Sequence, residues 1–160
     1  MKRKLKVSSN ISIEPATETD FPSIKPLISE LMKAMDDTEG FDIEQAVENC
    51  RKLIKSLGHY LLLAKDKDND KVVGFVNFTT RKTIIHPGLS GLIDELVVSR
   101  SHRGLGIGKN LLLAAIEKCR KLGCCEVEVS TEKSNTHARE FYRRCGFEED
   151  AVLLEINLEA

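Results

Sequence analysis

Three glycines at alternate positions, Gly104, Gly106 and Gly108, stand between an apolar run typical of a strand and an amphipathic run typical of a helix. Glycine allows a ligand to approach the backbone closely, and the first turn of a helix presents unpaired amide donors at its positive end. This arrangement suits an anion, in particular a pyrophosphate. A turn that only permits tight strand-to-helix packing is the alternative interpretation.

Other phosphate-binding motifs fit the stretch less well. The dinucleotide fingerprint Gly-x-Gly-x-x-Gly would place its third glycine one residue after Gly108, and it normally belongs to a first strand-helix unit. A P-loop requires a hydroxyl side chain after its lysine to bind magnesium, whereas Lys109 is followed by Asn110. A dinucleotide fold and a P-loop enzyme are therefore disfavoured.

The same stretch resembles a known family. The run Arg103-Gly104-Leu105-Gly106-Ile107-Gly108 is similar to the Arg/Gln-x-x-Gly-x-Gly/Ala pattern of the GNAT superfamily of acetyl-CoA-dependent N-acetyltransferases. The run Asn135-x-x-Ala138-x-x-Phe141-Tyr142-x-x-x-Gly146-Phe147 resembles the second signature of that family. The likeness extends over nearly the whole chain. It implies one N-acetyltransferase domain over residues 1–160, with acetyl-CoA as cosubstrate.

The resemblance also assigns residues to the binding of CoA. Backbone amides of the glycine turn would hold the pyrophosphate, and the preceding strand would pair with the pantetheine arm as an added strand does. The residues assigned are Leu96, Val97, Val98, Arg103, Gly104, Leu105, Gly106, Ile107, Gly108, Lys109 and Asn135. Asn135 would contact the pantetheine region, but an asparagine that begins a helix is also an ordinary N-cap.

Acetyl transfer from a thioester to an amine needs an acid for the leaving thiolate and a base for the ammonium. Tyr142 matches the tyrosine that family members often use as the acid, and packing on an apolar helix face is its alternative role. For the base the family often uses a glutamate on the strand before the turn. Glu95 is the choice and Asp94 the reserve, with side chains expected on opposite faces of the strand. A structural ion pair would look the same in sequence.

The adjacent Cys124 and Cys125 offer no clear nucleophile, since cysteine on a buried strand usually serves as a small apolar residue and no histidine is paired with either. Direct transfer in a ternary complex is therefore expected. No Cys-x-x-Cys pair occurs and the four histidines are scattered, so no metal site is predicted.

Hydrophobic periodicity predicts the elements that must position these residues. Helices are expected at about 21–35, 43–57, 105–122 and 135–145, and strands at about 7–14, 60–65, 72–85, 91–98, 124–130 and 151–158. The order indicates a mixed α/β domain of α+β type. The resemblance implies the GNAT fold, with a mixed, mostly antiparallel sheet of six to seven strands flanked by about four helices.

Charge is unevenly distributed along a chain whose net charge is only −1, a value that argues against a general nucleic-acid binder. Residues 14–48 contain ten acids and two lysines, and residues 100–144 contain ten basic and five acidic residues. Solvated helix faces are one interpretation. The other is an acidic rim for a cationic acceptor, either a small-molecule amine or a peptide amine, and a basic rim for an anionic cofactor.

No run of 18 apolar residues occurs, and no apolar segment follows the basic N-terminus. A cytoplasmic protein without a membrane partner and with reduced thiols is therefore expected. Family members commonly form homodimers, although nothing in the sequence identifies an interface. The alternatives to an enzyme are a GNAT module that binds acetyl-CoA without catalysis and one that docks a basic protein.

Overall fold

A computed structural model describes residues 10–35 and 40–158. Besides two short 3₁₀ helices, these residues form five strands and four α-helices. In chain order they are β1 (Ile11–Pro15), α1 (Phe21–Lys33), α2 (Ile43–Leu53), β2 (His59–Asp66), β3 (Lys71–Lys82), β4 (Leu89–Val98), α3 (Ile107–Lys121), β5 (Cys124–Val129) and α4 (Thr136–Arg144). The predicted mixed α/β class is confirmed.

The five strands form one sheet in the order β1-β2-β3-β4-β5. The first four strands are antiparallel neighbours, with α1 and α2 between β1 and β2 in the chain and with β2, β3 and β4 as a meander. Asn77 of β3 is opposite Leu61 of β2 and Glu95 of β4. β5 follows the α3 crossover, and the amide of Leu89 at the start of β4 donates to the carbonyl of Gly123 just before β5 (3.2 Å). Both strands therefore begin at the same end of the sheet and run parallel, as in a strand–helix–strand unit.

Helices α1 and α2 cover one face of the sheet. Their apolar side chains form a buried cluster with alternate residues of β2, β3 and β4, because successive side chains of a strand point to opposite faces. The buried members are Phe21, Ile24, Leu27, Ile28, Val47, Leu61, Leu63, Phe75 and Val97. Within this layer α2 packs against α1 and β2, and α1 packs against β3 and β4.

Helix α3 covers the opposite face, where Leu111, Leu112, Ala115 and Cys119 are fully buried. Gly74 of β3 explains how closely the helix approaches. A Cβ there would lie 2.9 Å from the carbonyl oxygen of Val97 and 3.1 Å from Leu111 Cδ1. Only glycine leaves room for that packing, which holds the start of α3 against the end of β4.

Contacts divide the chain into two compact units, Met1–Glu128 and Val129–Ala160. The first contains nearly all of the sheet with α1, α2 and α3, and the second contains α4. The single domain over residues 1–160 stays a prediction. Helix α2 ends at Leu53, four residues earlier than expected, and the start of the first expected strand lies outside the described residues.

The expected strand at 151–158 is wrong, and the described sheet has five strands rather than six to seven. Residues 151–158 have no strand assignment, and large apolar side chains there are exposed, including Leu154 at 88% and Ile156 at 82%. Alternation of apolar and polar residues predicts only a local extended conformation. A strand also needs a hydrogen-bonded neighbour, which local sequence does not specify.

Candidate active site

The glycine turn joins β4 to α3 in the geometry expected of an anion site. Gly104 and Gly106 have φ of +76° and +80°, a region that L side chains rarely adopt, and Gly106 is the N-cap of α3. No atom lies within 4 Å of a Cβ built at either glycine, so a ligand has room against this backbone. The Arg103 side chain donates to the Val98 carbonyl (3.3 Å) and closes the turn. These residues fit a diphosphate group.

β4 contains a bulge in front of this turn. Asn77 of β3 is opposite Glu95, whereas the next residue, Phe78, is opposite Ile93, so Asp94 is the extra residue. A bulge of this kind interrupts the alternation of side chains. The expectation that Asp94 and Glu95 point to opposite faces is therefore wrong. Their partners, Thr79 and Asn77, are two residues apart on β3 and face the same side.

Glu95 accepts a hydrogen bond from Asn77, with 2.6 Å between Asn77 Nδ2 and Glu95 Oε2. Part of the Glu95 side chain is open to solvent, but the surrounding protein desolvates its carboxyl and raises its pKa. The bond from Asn77 opposes this rise, and the negative charge of Asp94 adds to it. A carboxyl with a raised pKa is suited to take a proton near neutral pH.

Asp94 lies in a related environment. Desolvation raises its pKa, while a hydrogen bond from Thr79 and the nearby His59 oppose the rise. Cys50 of α2 also lies near this site. Burial raises the pKa of its thiol, and the negative charge of Glu95 raises that pKa further. Asn77, Thr79 and His59 were not singled out from sequence. The available signal was Asn77, one amide within the otherwise apolar run from Val72 to Phe78.

The strand residues assigned to pantetheine binding differ in their surroundings. Val97 is buried in the cluster under α1 and α2, whereas Leu96 and Val98 are half-buried. All three pair with residues of β3, and the last pair of this ladder is Gly74 with Val98. The start of β4 contacts β5 and the residue before it: the Leu89 amide donates to the Gly123 carbonyl, and Ser90 donates to Glu126 (3.1 Å).

Tyr142 and Asn135 belong to the second unit. Tyr142 lies on α4 with its ring edge-on to Phe141 and Phe147, at centroid distances of 5.2 and 5.7 Å. Desolvation raises the pKa of its hydroxyl, with a smaller contribution from Cys145. Asn135 is the N-cap of α4, and its Oδ1 accepts from the Ala138 amide (3.1 Å). The capping role is thus observed, and the pantetheine contact stays a prediction.

Most acids of the 14–48 stretch are already engaged. Lys65 pairs with both Glu14 and Asp20, and every other acid there that the structure describes also has a partner. Those partners are Lys55 for Glu18, the Arg100 amide for Glu30, the Glu44 amide for Asp42, Lys25 for Glu44 and Arg51 for Glu48. Asp36, Asp37 and Glu39 lie outside the described residues. Five of the seven described acids therefore pair with a cation, whereas the partners of Glu30 and Asp42 are neutral backbone amides.

Cys119 of α3 is a poor nucleophile. Burial raises the pKa of Cys119 to about 12, with Cys124 adding to the effect, and a thiol is far less reactive than a thiolate. Among residues 10–35 and 40–158 no group of three or more His, Cys, Asp or Glu side chains is arranged to hold a metal ion. No helix within those ranges is long and apolar enough to cross a membrane.

Comparison with known proteins identifies relatives over almost the full length. Residues 23–147 match the Acetyltransferase (GNAT) family. The chain is 32% identical to the aminoalkylphosphonate N-acetyltransferase of Salmonella typhimurium, over 93% of this chain and 92% of the relative. It is 28% identical to glucosamine 6-phosphate N-acetyltransferase 1 of Dictyostelium discoideum, over 95% and 94% of the two chains.

Solved structures share the fold. The aminoglycoside N-acetyltransferase AAC(6')-Iy in complex with CoA has a TM-score of 0.80 against this chain at 17% identity. The likeness covers 94% of this chain and 95% of that one. At this level of identity the comparison concerns the fold alone.

Proposed function

Because the chain belongs to the GNAT acetyltransferase family, we propose that it transfers the acetyl group of acetyl-CoA directly to a primary amine held beside Glu95. N-acetyltransferase activity on amines is common to the named relatives. The observation that carries the detailed proposal is the Glu95 carboxyl, which is hydrogen-bonded to Asn77 and has its pKa raised by desolvation although the residue is partly exposed.

In the proposed reaction, Glu95 takes a proton from the bound ammonium, directly or through one water. The freed lone pair of the amine attacks the thioester carbonyl, so that a C–N bond forms and the C–S bond breaks. Tyr142 gives its proton to the departing thiolate, and its raised pKa keeps it protonated until then. The acylated nitrogen loses its second proton, which returns to the Tyr142 oxygen, and the proton on Glu95 passes to solvent. Acetyl-CoA supplies the thioester, and the Arg103–Lys109 turn would hold its diphosphate.

Two classes of acceptor amine, which differ in charge, are candidates for this reaction. The cationic acceptor expected from the acidic stretch keeps support from Asp94 and Glu95, which share one face. However, five of the seven described acids of the 14–48 stretch pair with cations, which reduces the free negative charge there. A second candidate is an amine that carries a phosphonate or phosphate. It is favoured by the relative that acts on aminoalkylphosphonates, which is similar over nearly its whole length.

A thiol-release assay with four amines separates these candidates. Spermidine and an aminoglycoside represent cationic acceptors, and 2-aminoethylphosphonate and ethanolamine form a pair that differs in the phosphonate group. Release that favours 2-aminoethylphosphonate over ethanolamine would support the phosphonate class, and release that favours spermidine would support the cationic class. CoA binding without release for any amine would instead support a non-catalytic module. A cytoplasmic location and a homodimer stay predictions.

A further inference from the structure

Asn77 is the most deeply buried polar group beside the proposed base. Its side chain is 8% exposed, and its amide nitrogen donates to Glu95. Its Oδ1 is also buried, yet it accepts no hydrogen bond from any residue in the described part of the chain. An unpaired buried acceptor destabilises a fold, so such a group calls for a functional reason.

The surroundings make an amide here unnecessary for packing. Asn77 is opposite Leu61 on one side and Glu95 on the other, and Phe75 on the same face of β3 belongs to the apolar cluster. A leucine has a similar volume and would complete this apolar row. The amide is therefore retained at a cost in stability, and Glu95 uses only its donor half.

We propose that Asn77 is a positioning and acceptor-recognition residue, which orients the Glu95 carboxylate with its Nδ2 and receives an N–H of the substrate amine with its Oδ1. This inference rests on the proposed function. An ammonium has three N–H groups, so it can give one proton to Glu95 and still donate another hydrogen to Asn77. The lone pair forms on the side of the nitrogen from which that proton left, so the amine must turn toward the thioester carbonyl before it attacks.

The two halves of the amide predict different effects for two substitutions. Asn77→Leu removes the donor and the acceptor. Asn77→Asp keeps an oxygen in place of Oδ1 but puts a second carboxyl next to Glu95, which disfavours ionisation of the pair. The other groups near Glu95 are Asp94 on its own strand and Cys50 on α2, with His59 on β2 close to Asp94, and neither substitution changes them.

For steady-state kinetics, the probe is whichever of the four panel amines is turned over fastest. Asn77→Leu should raise the KM for that amine about tenfold, leave the KM for acetyl-CoA unchanged and move the acid limb of the kcat/KM profile to higher pH. Asn77→Asp should move the acid limb to still higher pH. At pH values above that limb, the KM for the amine should stay within threefold of the parent value. Asn49→Asp on the exposed side of α2 is the matched control and should leave the profile unchanged.

A titration without substrate tests the positioning role independently of turnover. In protein labelled with ¹³C at glutamate carboxyls, the Glu95 resonance is the one lost in Glu95→Gln, and its midpoint should rise in both Asn77 variants. Unchanged midpoints would overturn the positioning role, and an unchanged amine KM in a folded Asn77→Leu would overturn the recognition role. If no panel amine is acetylated, the proposed function fails while the titration still decides the positioning role.

Discussion

Asp94 and Glu95 are consecutive in the sequence, yet both carboxyls interact with side chains on the same face of β3, Thr79 and Asn77. The bulge at Asp94 produces this arrangement by adding one residue to β4. Two carboxyls near each other in a partly desolvated site are harder to ionise than either alone. Desolvation is the main cause of the raised pKa of Glu95, and the bulge adds the charge of Asp94 to it.

The raised pKa of Glu95 predicts a pH dependence of activity. A base must be ionised, so kcat/KM should fall as pH drops through a value above the ordinary glutamate pKa of about 4.3. Asp94→Asn removes the neighbouring negative charge and should move that acid limb to lower pH. The measurement is kcat/KM against pH for the best panel amine. Glu117→Gln, an exposed site on α3, should not move the limb, and an equal shift there would contradict the local explanation.

Glu95→Gln should have opposite effects on activity and stability. Loss of the base should lower kcat by about 10²- to 10⁴-fold, with CoA affinity retained. Because the folded-state pKa is raised, ionised Glu95 destabilises the fold above that pKa, and the effect disappears below the unfolded-state value. The melting temperature of Glu95→Gln should therefore exceed that of the parent at pH 8 and equal it near pH 3.5. A lower melting temperature at pH 8 would show that ionised Glu95 is net stabilising.

Tyr142→Phe tests the proposed acid. Without the hydroxyl the thiolate departs unprotonated, and kcat should fall at least tenfold while CoA binding and the ring packing against Phe141 and Phe147 are kept. Single-turnover thiol release measures the step. The matched control is Tyr60→Phe, the other tyrosine, whose ring stacks on Phe78. Equal losses in both variants would assign the effect to packing.

Gly106→Ala tests the anion site at the start of α3. A side chain at φ +80° costs about 1–2 kcal/mol and adds a methyl where a ligand would approach the backbone. The KM for acetyl-CoA should rise at least tenfold. Gly123→Ala carries the same strain, at φ +85° with equally open space, but lies after α3 and away from the turn. It should lower stability comparably without changing this KM, and a similar rise in both variants would refute the assignment.

Lys65→Met tests whether the acids at the start of α1 serve the fold. Lys65 lies 2.9 Å from Asp20, whose side chain is 12% exposed, and Met would leave this carboxylate without its cation. The expected loss is about 1–3 kcal/mol of unfolding free energy in urea at pH 7. Asp20 has a lowered pKa, so the loss should shrink as pH falls through the carboxyl range. Lys55→Met removes an exposed partner of Glu18 and should cost less than about 1 kcal/mol.

The sequence by itself determined the local features of this protein. The glycines of the turn, the apolar face of α3 and the cap at Asn135 depend on residues within one or two turns of each other, so spacing alone predicts them. The motif around Arg103–Gly108 is also sufficient to indicate the family, which the match over residues 23–147 confirms. The assigned CoA contacts and the role of Tyr142 stay predictions.

Only the tertiary structure decided which groups meet at the proposed base. Asn77 and Glu95 are 18 residues apart, and their contact depends on the register of β3 with β4. The bulge overturned the expected alternation of Asp94 and Glu95. Lys65 pairs with Glu14 and Asp20, and a count of charges along the sequence does not show these ion pairs. The expected strand at 151–158 was wrong for the same physical reason. Strand pairing, ion pairs and burial are interactions between distant segments, and local periodicity contains no information about which segments meet.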